Sequence, residues 1–189
     1  MAVTKWYFTT TAADTNLAAD NEVALSTTAP GSGSLSASIA ASTKENAFLG
    51  STDAAPHDSN DWTALVAADC QVVIDITANG ANLTLKEIVH HRFSSGLVSQ
   101  ASDDGGTGGW DSNTGTGVKT YTPTTVVALG TAGATDRLGA VINSENADMM
   151  TAETVTIALG TSSYCEAPWA VVADTRVLRF TPMPQLLAH

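Results

Sequence analysis

Apolar and polar residues alternate along several short stretches of the chain, and a period of two residues is typical of strands with one buried face. The alternation runs through residues 35–40 and 153–159. Residues 71–77 are instead rich in β-branched side chains, which favour strands. Further strands are predicted at residues 118–129, 137–142 and 169–180. No segment has the period of a convincing amphipathic helix, so the pattern predicts an all-β chain.

The sequence predicts a β-hairpin that turns at Asn79 and Gly80. Asn-Gly is the strongest short-range hairpin signal, because both residues tolerate the positive φ of a type I′ turn. The extended segment that follows, 82–93, keeps its apolar residues on one face only if the period stays at two, and Glu87 and His91 interrupt that face. We therefore also expect a β-bulge near residues 86–88.

Short strands at this spacing indicate an antiparallel β-sandwich or jelly roll. We assign residues 51–181 to this body. Residues 1–50 contain many small and polar residues and a turn signal at 29–34, and we interpret them as an extended N-terminal arm with one or two short strands. Residues 182–189 begin with Pro-Met-Pro, which cannot continue a sheet, and they are predicted to form a short C-terminal tail.

Four aromatic residues are the candidates for binding a partner. Trp6, Tyr7 and Phe8 are consecutive, and an arm that buries little against itself must cover them with a surface of this chain or of a neighbour. A contact with the chain's own core is the alternative for these three. Trp110 lies in a glycine-rich segment, 94–117, which is long enough to be a functional loop. The indole ring of Trp110 can stack on a sugar.

The composition narrows the classes of protein to consider. Charged residues make up 14% of the 189 residues, against about 25% in an average soluble protein, so threonine, serine, asparagine and small residues must build much of the surface. The formal charge of −11 argues against a nucleic-acid partner, which needs a basic face. No apolar run approaches the roughly 18 residues of a membrane span, and the N-terminus lacks the apolar stretch of a signal peptide. We therefore expect neither a nucleic-acid partner nor a membrane association.

Acidic residues in two loops are the candidate metal ligands. They are Asp103, Asp104, Asp111 and Asn113 in one loop and Asp53, Asp58 and Asp61 in the other. Such residues offer the oxygen ligands that calcium prefers, but the spacing does not match an EF-hand, and a solvated loop is the favoured interpretation for both. His90 and His91 are neighbours in a predicted strand, so their side chains point to opposite faces and do not share one ion.

No motif in the sequence predicts an enzymatic reaction. The G-x-S-x-G motif of serine hydrolases is absent, and the glycine run at 105–109 lacks the lysine of a phosphate-binding loop. Cys70 and Cys165 either form a disulfide or are two separate buried thiols, and no Cys-x-x-Cys spacing is present. We therefore expect no enzymatic activity, no cofactor and no metal site.

The chain resembles the small virion proteins of tailed bacteriophages. The features that carry this resemblance are the Met-Ala start into Trp6-Tyr7-Phe8, the acidic composition rich in alanine, threonine, glycine and serine, and the strand pattern of residues 70–180. Within that range, the segments 73–93, 137–143, 153–157 and 167–169 look like the first hairpin and the closing strands of such proteins. The resemblance implies a β-sandwich and a structural role in the virion.

Among the members of this family, a capsid decoration (cement) protein is the first choice. Such a protein is made in the host cytoplasm, sits on the outer surface of the capsid and bridges subunits of the major capsid protein or other virion proteins. A homotrimer is implied by the resemblance, and association also suits a chain whose strands have edges to cover but few lysines to protect them. The alternative is a fibre or tail component, or a carbohydrate-binding module that acts in host recognition.

Overall fold

The computed structural model describes residues 3–13, 21–52, 71–93, 99–103, 115–121 and 137–167. These residues contain eleven strands and no helix. In chain order the strands are β1 (Thr4–Ala12), β2 (Asn21–Ser26), β3 (Ser34–Ile39), β4 (Lys44–Thr52), β5 (Val72–Asn79), β6 (Leu83–Phe93), β7 (Ser99–Asp103), β8 (Gly117–Tyr121), β9 (Arg137–Asn146), β10 (Glu153–Ala158) and β11 (Tyr164–Ala167).

All eleven strands belong to one hydrogen-bonded sheet. Its order is β3-β10-β5-β11-β1-β2-β4-β9-β6-β7, and β8 pairs with β5 outside this path. The pair β2–β4 is parallel, and the other described pairs are antiparallel. The predicted all-β class is therefore confirmed, and the predicted antiparallel pairing holds for the described pairs other than β2–β4.

Two groups of three strands within this sheet correspond strand by strand. β3, β10 and β5 are neighbours in one group, and β4, β9 and β6 are neighbours in the other. Three connections join the groups, from β3 to β4, from β9 to β10 and from β5 to β6. In none of these three cases are the two connected strands hydrogen-bonded to each other. Each connection is therefore a corner turn from one group to the other, at residues 40–43, 147–152 and 80–82.

The alternation of residue types explains why both groups pack on a common core. In β3, Leu35, Ala37 and Ile39 are buried while the serines between them are exposed. In β10, Val155 and Ile157 are buried in the same way. The predicted period of two is confirmed at both strands. The same hydrophobic cluster also includes Phe8, Phe48, Ile74, Ile76, Leu83, Leu85, Ala140 and Ile142.

The turn between β9 and β10 is hydrogen-bonded to the turn between β3 and β4. Asn146, which is 1% exposed, donates from Nδ2 to the carbonyl oxygens of Ile39, at 3.1 Å, and Thr151, at 2.9 Å. Its Oδ1 accepts a hydrogen bond from the backbone N of Asp148 at 2.9 Å. The carbonyl oxygen of Asp148 accepts another from the backbone N of Ser42 at 2.8 Å. One buried amide side chain thus ties two corners together.

The turn between β5 and β6 is attached to the same β9–β10 corner from the other side. Glu153 accepts two hydrogen bonds from Asn82, at 2.8 Å from the backbone N and at 2.7 Å from Nδ2. The backbone N of Ala147 donates to the carbonyl oxygen of Asn82 at 3.0 Å. The β9–β10 turn is therefore the middle one of three corners that lie side by side.

The turn at Asn79 and Gly80 is one of these corners, so the predicted β-hairpin is wrong. β5 does not pair with β6, and neither Asn79 nor Gly80 has the positive φ of a type I′ turn. Glycine is required here for space instead, because a Cβ at Gly80 would lie 2.6 Å from the Cβ of Glu153 and would also overlap its carboxylate. The chain needs this close approach so that Glu153 can reach Asn82.

The N-terminal residues contribute strands to the body, which corrects the predicted arm over 1–50. β1 and β2 lie inside the sheet, between β11 and β4, and β4 runs across the predicted boundary at residue 50. The last six residues of β4, Ala47–Thr52, are all buried. Small and polar residues bury little individually, which favours an arm in the sequence, but the backbones of β1, β2 and β4 are hydrogen-bonded on both sides by neighbouring strands.

Other predictions are confirmed, or lie outside the described residues. The bulge near residues 86–88 is confirmed, because the pairing of β6 with β9 shifts register between Leu85 and Glu87. β5, β6 and β9 coincide with predicted strands, and β8 covers the first part of the segment 118–129. The predicted strand at 169–180 and the predicted tail at 182–189 lie outside the described residues.

We expect Phe8→Ala to destabilise the protein strongly, because Phe8 is fully buried in the shared core. The loss of a buried aromatic ring costs about 3–5 kcal/mol, and for a chain of this size the melting temperature should fall by on the order of 10 °C. Thr10→Ala changes an exposed residue of the same strand and should stay within about 0.5 kcal/mol of the wild type. Equal melting temperatures for the two variants in calorimetry would contradict the placement of β1.

We expect Asn146→Asp to cost about 2–4 kcal/mol at neutral pH, because an oxygen would replace the amide nitrogen that donates to two carbonyl oxygens. The buried carboxyl would have a raised pKa in the folded state, so the deficit should shrink as pH falls. Urea unfolding at several pH values, relative to the wild type, measures both effects. Asn21→Asp removes an exposed amide donor and should cost less than about 1 kcal/mol; equal costs for the two variants would contradict the role of Asn146.

Candidate functional site

A row of side chains on the outer face of the sheet crosses five adjacent strands. Ser26, Tyr7 and Tyr164 in this row are partly exposed and Thr120 is exposed, whereas Val73 between them is only 8% exposed. Cross-strand pairing places Ser26 of β2 beside Tyr7 of β1, Tyr7 beside Tyr164 of β11, Tyr164 beside Val73 of β5, and Val73 beside Thr120 of β8. Successive side chains of a strand point to opposite faces, so the inward Trp6 and Phe8 of β1 leave Tyr7 on the outer face. The row is therefore a direct consequence of the alternation that builds the core.

Two tyrosines and an ion pair form the centre of this surface, which we call the tyrosine face (Lys5, Tyr7, Val73, Tyr164 and Glu166). The rings of Tyr7 and Tyr164 have centroids 5.8 Å apart and an interplanar angle of 65°. Lys5 Nζ lies 4.1 Å from the centroid of the Tyr164 ring and 3.3 Å from Glu166 Oε1. Edge-to-face aromatic pairs and cation–π contacts each contribute about 0.5–1.5 kcal/mol, so these side chains hold one another in place.

Lys5 keeps a positive charge on this face of an acidic protein. The Tyr164 side chain raises the pKa of the Lys5 ammonium most, and Glu166 raises it further, while partial burial lowers it. A lysine whose pKa is raised in the folded state stays charged at neutral pH, and its stabilising contacts are lost only at alkaline pH, above that pKa. The Lys5 side chain is about half exposed, so the contribution of its ion pair with Glu166 to stability is small.

The geometry of the tyrosine face suits contact with another protein. Each tyrosine presents an apolar ring and a polar hydroxyl, a combination that is enriched in protein interfaces. The two rings are nearly perpendicular, and Lys5 covers a face of the Tyr164 ring. They do not form a flat platform on which successive sugar rings can stack, whereas protein side chains can pack against an uneven aromatic surface.

Trp6, Tyr7 and Phe8 are the described residues among the four aromatic residues predicted to bind a partner, and of these three only Tyr7 lies on this face. Trp6 is 5% exposed and Phe8 is 0% exposed, and both belong to the core. Their prediction as partner-binding residues is therefore corrected, in favour of a contact with the chain's own core. Trp110 lies outside the described residues. Tyr164 was missed, although the alternation of a tyrosine, a buried cysteine and a glutamate at 164–166 is a signal for an outward-facing pair.

The candidate metal ligands are for the most part outside the described residues. Asp103 is the last residue of β7. The residues that lie outside are Asp53, Asp58, Asp61, Asp104, Asp111 and Asn113. In the described ranges, no group of three or more histidine, cysteine, aspartate or glutamate side chains is placed to hold a metal ion.

The positions of the other candidate residues follow from the strands. His90 and His91 are consecutive in β6 and pair in register with Asp103 and Ser102 of β7. Cys165 is buried in the core from β11, and Cys70 lies outside the described residues. Within the part of the chain that the structure covers, no helix has the length and apolar character needed to cross a membrane.

Known proteins offer no assignment for this arrangement. No family model matches the chain, no curated protein matches it, and no solved structure matches it. A function must therefore be argued from the tyrosine face and from the sheet that carries it.

Proposed function

We propose that this chain is a non-enzymatic structural protein of a bacteriophage virion, specifically a capsid decoration (cement) protein. In this role it is made in the host cytoplasm, binds the outer surface of the capsid and bridges neighbouring subunits of the major capsid protein. The observation that carries the proposal is the tyrosine face, where an aromatic pair and a balanced ion pair stand on adjacent strands of a large sheet.

The arrangement of the strands supports this role. A surface that is fixed on a sheet loses little conformational entropy when a partner binds, so more of its contact energy becomes affinity. Outside the tyrosine face, exposed positions such as the serines of β3 and Thr154 of β10 are small and uncharged. Such side chains allow close approach to a lattice of neighbouring proteins.

The net charge supports a position outside the shell. A formal charge of −11 repels packaged DNA, which carries a dense negative charge. The proposal includes a β-sandwich fold, and the two three-strand groups with a common core support it. A jelly roll is the more specific β-sandwich topology that we propose.

The alternative role is a fibre or tail component, or a carbohydrate-binding module that acts in host recognition. Trp110 is the aromatic residue that favours sugar binding in the sequence. The steeply inclined rings of Tyr7 and Tyr164 do not form a second, flat surface for a sugar. A binding module should bind a glycan by itself, whereas a decoration protein should bind only assembled shells. The two roles therefore differ in what the purified protein binds.

We expect purified protein to bind particles from a phage strain in which its coding sequence has been deleted, and to raise the temperature at which those particles release DNA. Replacing Tyr7 and Tyr164 together with serine should weaken binding by roughly tenfold or more, because buried tyrosines are frequent hot spots. The matched control replaces both with phenylalanine, which keeps the rings. Co-sedimentation and negative-stain microscopy measure the effect.

Two outcomes of that experiment contradict the proposal. If the wild-type protein binds a glycan array but no particle, the carbohydrate-binding alternative is correct. If the serine and phenylalanine variants bind particles equally well while both remain folded, the tyrosine face does not make the contact.

A homotrimer is part of the same proposal. β3 and β7 stand at the two ends of the described strand order, and neighbouring copies in a closed ring can cover sheet ends equally in every subunit. Light scattering should give about 58 kDa, three times the 19.4 kDa of the chain. Added salt should strengthen the association, because it screens the repulsion between chains of charge −11. A mass near 19.4 kDa at both low and high salt would contradict the trimer in solution.

A further inference from the structure

The turn between β9 and β10 exposes the two most solvent-accessible large apolar side chains of the described residues. Met149 is 83% exposed and Met150 is 91% exposed. We call this pair the methionine tip. Exposed apolar side chains that are adjacent mark contact surfaces more often than single ones do, and methionine is a flexible, polarisable residue that adapts to many binding surfaces.

Hydrogen bonds beneath the methionine tip hold its backbone in one conformation. Asp148 Oδ1 accepts hydrogen bonds from the backbone N of Met150 at 2.7 Å and of Thr151 at 3.0 Å. The backbone N of Asp148 donates a hydrogen bond to Asn146 Oδ1, and its carbonyl oxygen accepts one from the backbone N of Ser42. The tip is therefore presented by a fixed turn, so its docking orders little backbone and costs little entropy.

The surroundings of the tip are apolar and negatively charged. The neighbouring exposed residues of the three corner turns include Ala40, Ala81, Ala147 and Ala152. Asp148 and Glu153 lie at the base, and the groups that donate hydrogen bonds to their carboxylates are uncharged backbone amides and the Asn82 side chain. These bonds satisfy the carboxylate oxygens without neutralising their charge, so the tip combines two thioethers with a local negative potential.

We propose that the methionine tip is a docking element that inserts into an apolar pocket bordered by lysine or arginine side chains on a neighbouring protein. Charge complementarity selects this occupant. A second copy of this chain has a formal charge of −11 and would bring further negative charge toward Asp148 and Glu153, and like charges in an interface are unfavourable. A convex apolar pair on an acidic base fits a concave apolar site with a basic rim.

The position of the methionine tip deepens the proposed function, on which this inference rests. Gly80 in the corner turns follows Val73 in the tyrosine face by seven positions along β5 and its end, which is about 23 Å along an extended strand. One chain therefore carries two separate contact surfaces joined by a strand of the core. A protein that binds two neighbours through two such surfaces bridges them, and the second attachment gains from the high effective concentration that the first one creates.

The test uses the full chain and particles from the deletion strain. In Met149→Ser/Met150→Ser the apolar area is removed, and in the matched control Met149→Leu/Met150→Leu it is kept. Both variants should melt at the wild-type temperature, because the side chains are exposed and the hydrogen bonds at Met150 involve only its backbone N. We expect the serine variant to bind particles roughly tenfold more weakly and the leucine variant to bind like the wild type.

Salt dependence tests the basic rim of the pocket. The affinity of the wild type and of the leucine variant should fall as sodium chloride rises from about 50 mM to about 500 mM, because salt screens the attraction between the acidic base and the rim. Equal binding of the serine and wild-type chains overturns the methionine tip alone and leaves the proposed function intact. A leucine variant as weak as the serine variant, or an affinity that is insensitive to salt, also overturns it. A wild-type chain that binds no particle overturns the proposed function and this inference with it.

Discussion

The hydrogen bonds of one buried side chain, Asn146, hold together the corner on which the described fold depends. A buried amide that lacks partners is costly, so its three side-chain hydrogen bonds specify one arrangement of the turns around it. Asn82 and Glu153 extend the same network to the third corner. The three corners are held side by side, so the strand order β3-β10-β5 of one group matches the order β4-β9-β6 of the other. Both groups can therefore bury their apolar faces in a common core.

This constraint also shapes the two surfaces of the proposed function. The tyrosine face exists because β1 and β11 are neighbours in the sheet, and the methionine tip exists because the β9–β10 turn is held at the middle of the corners. Both surfaces are carried by backbone that is hydrogen-bonded in place. A structural protein of a virion needs such contact surfaces, because repeated copies must meet their neighbours in the same geometry at every position of the lattice.

Local patterns in the sequence predicted individual strands well. The alternation in β3 and β10 and the β-branched run of β5 depend on side chains that stand on opposite faces of a strand, which is a local property of the backbone. The bulge in β6 was predictable for the same reason, since a strict period of two would put Glu87 in a row of apolar residues, and the register shifts between Leu85 and Glu87. The turn at Gly80 was predicted with the wrong geometry. Glycine is required there because a side chain would overlap Glu153, which lies 73 positions away in the sequence.

The sequence by itself determined that the chain forms strands and which side chains of each strand face inward, because that choice follows from the two-residue period of an extended backbone. Only the tertiary structure decided which strands are neighbours. It placed β1 in the interior of the sheet, where Trp6 and Phe8 are core residues, and it brought Tyr164 beside Tyr7 across most of the chain length. No local pattern encodes such pairings, because they depend on the free energy of burying all the strands together and on the few polar groups, such as Asn146, that exclude the alternatives.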